Sequence, residues 1–216
     1  MGAAERTHWV EWHDQYRDPT SPLSKRLVVV KRLLDTVLDE QPGELQVISI
    51  CAGAGLDVLG VLENRESARR RVKALLVERD PTLADGARAW ARELGADGVA
   101  VVTGDAAETS QYATVAPADV VMACGVFGNL SDFDIQRTVA ALPQLLRTGG
   151  SVIWTRHRRA PDITPEIRAW YAAAGFEERA FESAGENSFG VGRHVLTAPS
   201  EPLVTGKRLF TFLPRP

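Results

Sequence analysis

The chain has 216 residues, 44% of them apolar, and a formal net charge of −3. This length builds one domain with a sizeable core and crowds two, and the apolar content excludes a disordered chain. The near-neutral charge gives no reason to expect broad binding to nucleic acid or anionic membrane, and no apolar run approaches the ~20 residues that span a bilayer.

The first fifteen residues, "MGAAERTHWVEWHDQ", lack the apolar core of a secretory signal. Gly2 invites a myristoylation reading, but Arg6 stands where Ser or Thr is wanted. Trp9, Trp12, His13 and Tyr16 share helical spacing. Residues 1–20 are therefore expected to be helical, either packed on the core or closing over a pocket as a lid. Residues 21–43 read as a helix, with Leu23, Leu27, Val30, Leu33 or Leu34, and Val37 on one face. Ser21 is its N-cap, Pro22 its first residue, and Pro42-Gly43 its end.

Strand and helix then alternate. "LQVISI" (45–50) is a buried strand and 57–70 a helix; "VKALLVE" (72–78) is a second strand, followed by a helix over 81–95. "GVAVVTGD" (98–105) is a third strand and "ADVVMACGVFG" (118–128) a fourth, with a helix over 131–150. "SVIWTRHR" (151–158) is a fifth, followed by a helix over 164–175. The strands lack period-two polarity, as expected where helices cover both faces of a parallel sheet. Residues 176–183, 191–198 and 207–214 alternate apolar with polar residues and read as antiparallel strands finishing one edge. Arginines cluster in "SARRRVK" (67–73) and "RHRR" (156–159), each read as a solvated face or a strand end. Cys51 and Cys124, far apart, form neither a disulfide framework nor a zinc spacing. A cytoplasmic protein without a metal is the expectation.

Ligands of an open α/β sheet sit beyond the carboxyl ends of its strands. The first strand ends in "CAGAG", whose glycines let backbone approach a ligand. No Gly-Lys-Ser/Thr follows, which excludes a P-loop. Gly53 and Gly55 fill two positions of a dinucleotide fingerprint, but the third falls on Val58. Glu78 ends the second strand, 23 residues past Gly55. It either accepts hydrogen bonds from a ribose diol or serves the dipole of the helix that starts at Pro81. Asp105, after the third strand, either accepts from an adenine amino group or caps a helix beginning near Ala106.

This order of Gly-rich turn, acid after the second strand, Asp after the third, then "ADVVMACGVFGNL" and a helix ending in "LLRTGG", resembles the class I S-adenosylmethionine-dependent methyltransferases, most closely uncharacterised bacterial members of actinobacterial type. The resemblance covers roughly residues 21–200. It implies an α/β, Rossmann-like fold: a seven-stranded, mostly parallel sheet with a reversed C-terminal hairpin, preceded here by the 1–20 extension, with 21–216 as a single methyltransferase domain. It implies S-adenosylmethionine as cofactor. The contacts it implies run through Tyr16 and Arg26; Cys51, Ala52, Gly53, Gly55 and Asp57; Glu78 and Arg79; Gly104, Asp105 and Ala106; and Cys124, Gly125 and Val126. Members of the family often carry an acid and a glycine where Ser49 and Cys51 stand here. Asp57, or Arg26 through bidentate pairing with a carboxylate, are the candidates for holding the amino-acid end of the cofactor.

Methyl transfer needs position and, for a hydroxyl or protonated amine, a base. His157, following the fifth strand, is the first candidate and His13 the reserve; Asn129 is placed to orient an acceptor. Cys124 reads either as a nucleophile or as an inert buried thiol, His194 as structural. No Asn/Asp-Pro-Pro-aromatic run follows the fourth strand, which argues against DNA or protein-glutamine substrates. The leading expectation is transfer to oxygen or nitrogen of a small molecule. Non-methylating chemistry on the same fold, such as cyclisation, an NAD-type oxidoreductase and a non-catalytic subunit are the alternatives.

Overall fold

Seven segments extend as strands: β1 (Leu45–Ile50), β2 (Val72–Glu78), β3 (Val99–Thr103), β4 (Ala118–Ala123), β5 (Leu146–His157), β6 (Phe176–Ser183) and β7 (Phe189–Leu196). In the computed structural model, which describes residues 15–183 and 188–214, they form one sheet in the order β3-β2-β1-β4-β5-β7-β6. β1 to β5 pair in parallel, and β7 runs antiparallel to both β5 and β6. This is the seven-stranded sheet with a reversed hairpin that the resemblance implies. Strand order reverses between β1 and β4, so the crevice beyond their carboxyl ends is where a ligand fits.

Helix α1 (Pro22–Glu40) starts as expected, with Ser21 Oγ accepting from the Ser24 amide at 3.0 Å and Pro22 in the first turn. It buries Val30, Leu33, Leu34, Val37 and Leu38 against the sheet. Its last residue, Glu40, meets the buried Arg193 of β7, with Nη1 to Oε1 at 3.0 Å.

The single helix expected over 57–70 is two short ones, α2 (Val58–Leu62) and α3 (Glu66–Arg69). Side-chain donors take the carbonyls that a continuing helix would use: Arg69 Nε reaches Leu62 O at 2.8 Å, Arg69 Nη2 reaches Glu63 O at 2.7 Å, and Asn64 Nδ2 reaches Gly60 O at 3.1 Å. Arg71 likewise donates to Gln41, Gly43 and Leu38 carbonyls. The "SARRRVK" arginines Arg69 and Arg71 are thus stitches between loops and not a solvated face.

Helix α4 (Pro81–Glu93) forms with Asp80 as its cap. No α-helix begins at Ala106; Asp105 Oδ1 accepts from the Ala107 amide at 3.0 Å, and only a short 3-10 turn, Thr109–Tyr112, follows. The helix expected to reach residue 150 ends earlier. Helix α5 (Asp132–Ala141) gives way to a 3-10 turn at Leu142–Gln144. Pro143 has no amide to donate there, and β5 already begins at Leu146. Helix α6 (Thr164–Ala173) precedes the final hairpin.

Residues 207–214 form a strap and no sheet strand. They make two isolated bridges, Glu108 with Arg208 and Leu130 with Phe212. The segment crosses the loops after β3 and β4, each of which offers only a brief extended stretch, so no ladder develops. Buried Leu209 and Phe210 hold it down, and its backbone bonds to Ala107 and Asn129.

Candidate active site

Beyond β1 the chain makes a tight turn through three left-handed residues: Cys51 (φ 55°), Gly53 (φ 56°) and Gly55 (φ 74°). Cys51 is the one non-glycine with positive φ among the described residues, a conformation that costs an L-residue energy. At Gly55 a Cβ would lie 2.9 Å from Leu59 Cδ1 and 3.0 Å from Leu76 Cδ2. Ala52 N donates to Val77 O at 3.0 Å and Gly55 N to Ala52 O at 2.9 Å, which ties the turn to β2.

Glu78 is buried at the end of β2. Its Oε2 accepts from the Gly53 amide and its Oε1 from the Asp80 amide, both at 2.8 Å. The helix start at Pro81 is served instead by Asp80, whose Oδ1 accepts from Thr82 N at 2.8 Å and Leu83 N at 3.2 Å. Glu78 therefore faces the glycine turn and not the helix. Arg79 beside it is exposed.

After β3, Gly104 N donates to Glu78 O at 2.9 Å, and Ala106 is buried with its carbonyl accepting from Tyr112 Oη at 2.5 Å. Asp105 is held from two sides. Its Oδ1 takes the Ala107 amide and its Oδ2 pairs with Arg208 of the strap at 2.9 Å. Burial works against its charge, yet the Ala107 amide and the Arg208 guanidinium hold the carboxyl below its ordinary range.

On the other side of the crevice, Gly125 (φ 78°) follows β4 and donates its amide to Thr155 Oγ1 at 2.8 Å. Asn129 Nδ2 donates to Gly125 O at 3.0 Å, and Val126 is buried beneath. Burial pushes both the Cys51 and Cys124 thiols well above their usual range, so neither supplies a thiolate.

Arg26, on the first turns of α1, donates to Tyr16 Oη at 2.7 Å. Burial raises the Tyr16 hydroxyl while Arg26 opposes it, and Cys124 and Asp57 lie near the same group. These four residues thus gather at one end of the crevice. Asp57 is buried, and its Oδ1 accepts from the Val58 amide at 2.8 Å. Burial raises its carboxyl, with Lys31 and Arg26 acting in the opposite sense.

A cavity of about 510 Å³ opens at the carboxyl ends of β4 and β5, lined by Pro22, Leu23, Arg26, Gly125, Gly128, Asn129, Thr155, Arg156, His157, Arg159, Ser188 and Phe189. Arg26, Asn129 and His157, each singled out from sequence, meet here. Arg156 and Arg159 were not singled out; the signal was the run "RHRR" itself, read as a solvated face or a strand end. Burial lowers the Arg156 guanidinium, with Asp132 and Asp162 opposing. Burial also lowers the His157 imidazole, and the neighbouring Arg156 and Arg159 charges lower it further. His13 lies outside the described residues. His194 is away from the cavity, buried with Nδ1 accepting from Trp154 Nε1 at 3.1 Å.

A protein family described as "Putative methyltransferase" matches residues 23–170. Among solved structures, the chain is similar to a possible exported protein from Bordetella parapertussis (18% identity, TM-score 0.66, covering 82% of this chain and 68% of that one). It is similar to an O-methyltransferase family protein from Burkholderia thailandensis (18%, TM-score 0.61, covering 78% and 55%). It is also similar to magnesium protoporphyrin IX methyltransferase from Synechocystis PCC 6803 with bound SAM (16%, TM-score 0.67, covering 88% and 91%). At these identities the likeness is one of fold. No curated protein matches the chain. Among the described residues, no helix is long and apolar enough to cross a membrane.

Proposed function

The chain belongs to this methyltransferase family, and we propose that it transfers a methyl group from S-adenosylmethionine to an oxygen or nitrogen atom of a small molecule. The observation that carries the reading is Glu78, buried between the glycine turn and the end of β2 with each carboxylate oxygen bonded to one backbone amide. Each oxygen keeps a further lone pair, the pattern a ribose diol requires.

When bound, the cofactor supplies an activated methyl on a sulfonium. The left-handed turn at Cys51, Gly53 and Gly55 gives it a close backbone surface beside Ala52. Glu78 accepts from the ribose side, flanked by Arg79. Gly104, Asp105 and Ala106 border the base, with Asp105 kept ionised by Ala107 and Arg208. Cys124, Gly125 and Val126 border the amino-acid end, where Asp57 and Tyr16-bonded Arg26 answer its two charges. His157 faces the cavity as a base that takes a proton from the acceptor, and Asn129 orients it. Residues 21–216 act as the catalytic domain; of the expected helical segment 1–20, residues 1–14 lie outside the described residues, and Gln15–Arg17 form a short 3-10 turn that brings Tyr16 to Arg26. Unpaired Cys51 and Cys124 suit a reducing cytoplasm.

Calorimetry tests the cofactor: micromolar-range affinity for S-adenosylmethionine or S-adenosylhomocysteine is expected, on the order of −7 to −8 kcal/mol. Tight NAD binding with no heat from either would overturn it. Transfer of a radiolabelled methyl group separates methylation from cyclisation on the same fold.

A further inference from the structure

The cavity beyond β4 and β5 has a one-sided electrostatic lining. Arg26, Arg156, His157 and Arg159 all face it, and among the described residues that line it none is Asp or Glu. Arg26 stands at the end gathered around Tyr16, Cys124 and Asp57. The other three leave the carboxyl end of β5 together.

Arg156 is fixed before any ligand arrives. Its Nη1 donates to Phe127 O at 2.8 Å. Its Nε is buried without a hydrogen-bond partner, and so is His157 Nδ1. Buried polar nitrogens are as a rule satisfied, and an unanswered pair on adjacent cavity-lining residues, one of them a guanidinium nitrogen that can only donate, leaves room for a polar partner from outside the chain. Nearby acids do not fill that need. Asp162 is engaged by Arg158 Nε at 2.8 Å and by Thr164. Asp132 begins α5, and neither acid lines the cavity.

We infer that the methyl acceptor is an anion, a small molecule bearing a carboxylate or phosphate oxyanion that Arg156, Arg159 and His157 hold beside the methyl-transfer site. The inference rests on the methyltransferase reading above for the identity of the neighbouring ligand. The oxyanion would pair with the Arg156 guanidinium in a charge-assisted bond, and Arg159 would add a second guanidinium from the exposed rim. Phe189 and Leu23 give the same cavity an apolar wall, so the acceptor combines an anionic end with an apolar body.

The test titrates protein saturated with S-adenosylhomocysteine with benzoate, phenyl phosphate, benzamide and benzylamine, followed by calorimetry and the His157 ring resonances. Benzoate or phenyl phosphate should bind at least tenfold more tightly than benzamide, and benzylamine should not bind. Whichever of the two anions wins distinguishes carboxylate from phosphate. R159Q at the exposed rim and R156Q should each lose that margin while keeping affinity for S-adenosylhomocysteine. Equal binding of benzamide, or no binding by any probe, overturns the inference. So does loss of S-adenosylhomocysteine affinity in R156Q and R159Q with the anion preference kept, since the arginines would then serve the cofactor carboxylate. Should wild-type protein fail to bind S-adenosylhomocysteine, the methyltransferase reading falls instead, and the anion margin is read on the protein alone by the same criterion.

Discussion

The Gly53 amide donates to Glu78 Oε2 across 2.8 Å, which ties the turn after β1 to the last residue of β2. One buried carboxylate thus shapes the turn that receives a cofactor and faces the same space. Glu78→Ala should lower affinity for S-adenosylmethionine at least tenfold, because hydrogen bonds to charged groups contribute about 1.5–3 kcal/mol. It should also lower stability by about 1–3 kcal/mol, since the Gly53 and Asp80 amides lose their acceptor. Calorimetry and urea denaturation read the two effects separately. An unchanged dissociation constant would leave Glu78 a purely structural clamp.

Two glycines should respond to alanine with opposite sign. Gly55 combines φ 74° with side chains at 2.9 and 3.0 Å from a would-be Cβ. Gly55→Ala should cost about 2–4 kcal/mol from left-handed strain and overpacking together, and weaken cofactor binding. Gly86 lies exposed within α4, with nothing within 4 Å of its would-be Cβ. Gly86→Ala should raise stability by about 0.5–1 kcal/mol. Each melting temperature is read against wild type: an unchanged Gly55→Ala, or a lowered Gly86→Ala, would contradict its own argument.

Where a feature depends on neighbours in sequence, it was legible. The apolar runs 45–50 and 72–78, the Ser21-Pro22 helix start, and the glycine turn with Glu78 are written locally, and the structure builds each of them. What distant residues decide was not. The break between α2 and α3 depends on Arg69 reaching back to two carbonyls. The second partner of Asp105 is Arg208, 103 residues away, on a strap whose alternation looked like a strand. Of the two readings of "RHRR", a solvated face or a strand end, the structure has the strand end, with β5 ending at His157. Its cavity is also lined by Pro22 and Leu23 from α1 and by Ser188 and Phe189 at β7, and no local pattern brings those distant segments together.

His194 should make the fold acid-sensitive. Its Nδ1 accepts from Trp154 Nε1 at 3.1 Å, so the neutral ring carries its proton on Nε2. That nitrogen lies 3.4 Å from Glu178 Oε2 without forming a hydrogen bond. Burial lowers the ring to about 4, with Glu178 opposing. Unfolded chain therefore takes up the proton first. The contribution is intact above pH ~6.5 and falls as pH drops from there toward 4, by about 3 kcal/mol in all. Other groups titrate in the same range, so the difference between wild type and His194→Gln is the measurement. Their stabilities should converge as pH falls from 7 to 4. A constant gap would refute the assignment.

His157 should act in the proton transfer, and its surroundings say at which pH. Burial and the charges of Arg156 and Arg159 lower its pKa, with Asp162 opposing. The imidazole of the free protein is therefore neutral at pH 7 and able to accept a proton from a hydroxyl or ammonium acceptor. The acid limb of kcat/KM should lie below pH ~6.5, the ordinary histidine value. An anionic acceptor between the guanidiniums would offset part of their repulsion. The acid limb of kcat, which reports the bound complex, should then stand at higher pH than that of kcat/KM. Arg159→Gln removes one repelling charge and should shift the kcat/KM limb upward. His157→Gln should lower turnover by about 10²–10⁴-fold, the usual contribution of a positioned base, and abolish the limb. Full turnover in His157→Gln, with the acid limb unmoved, would mean that the acceptor loses its proton to water or arrives as a neutral amine. Position alone would then suffice for the transfer, and the reading of Glu78 and the glycine turn would stand untouched, because neither makes a hydrogen bond to His157.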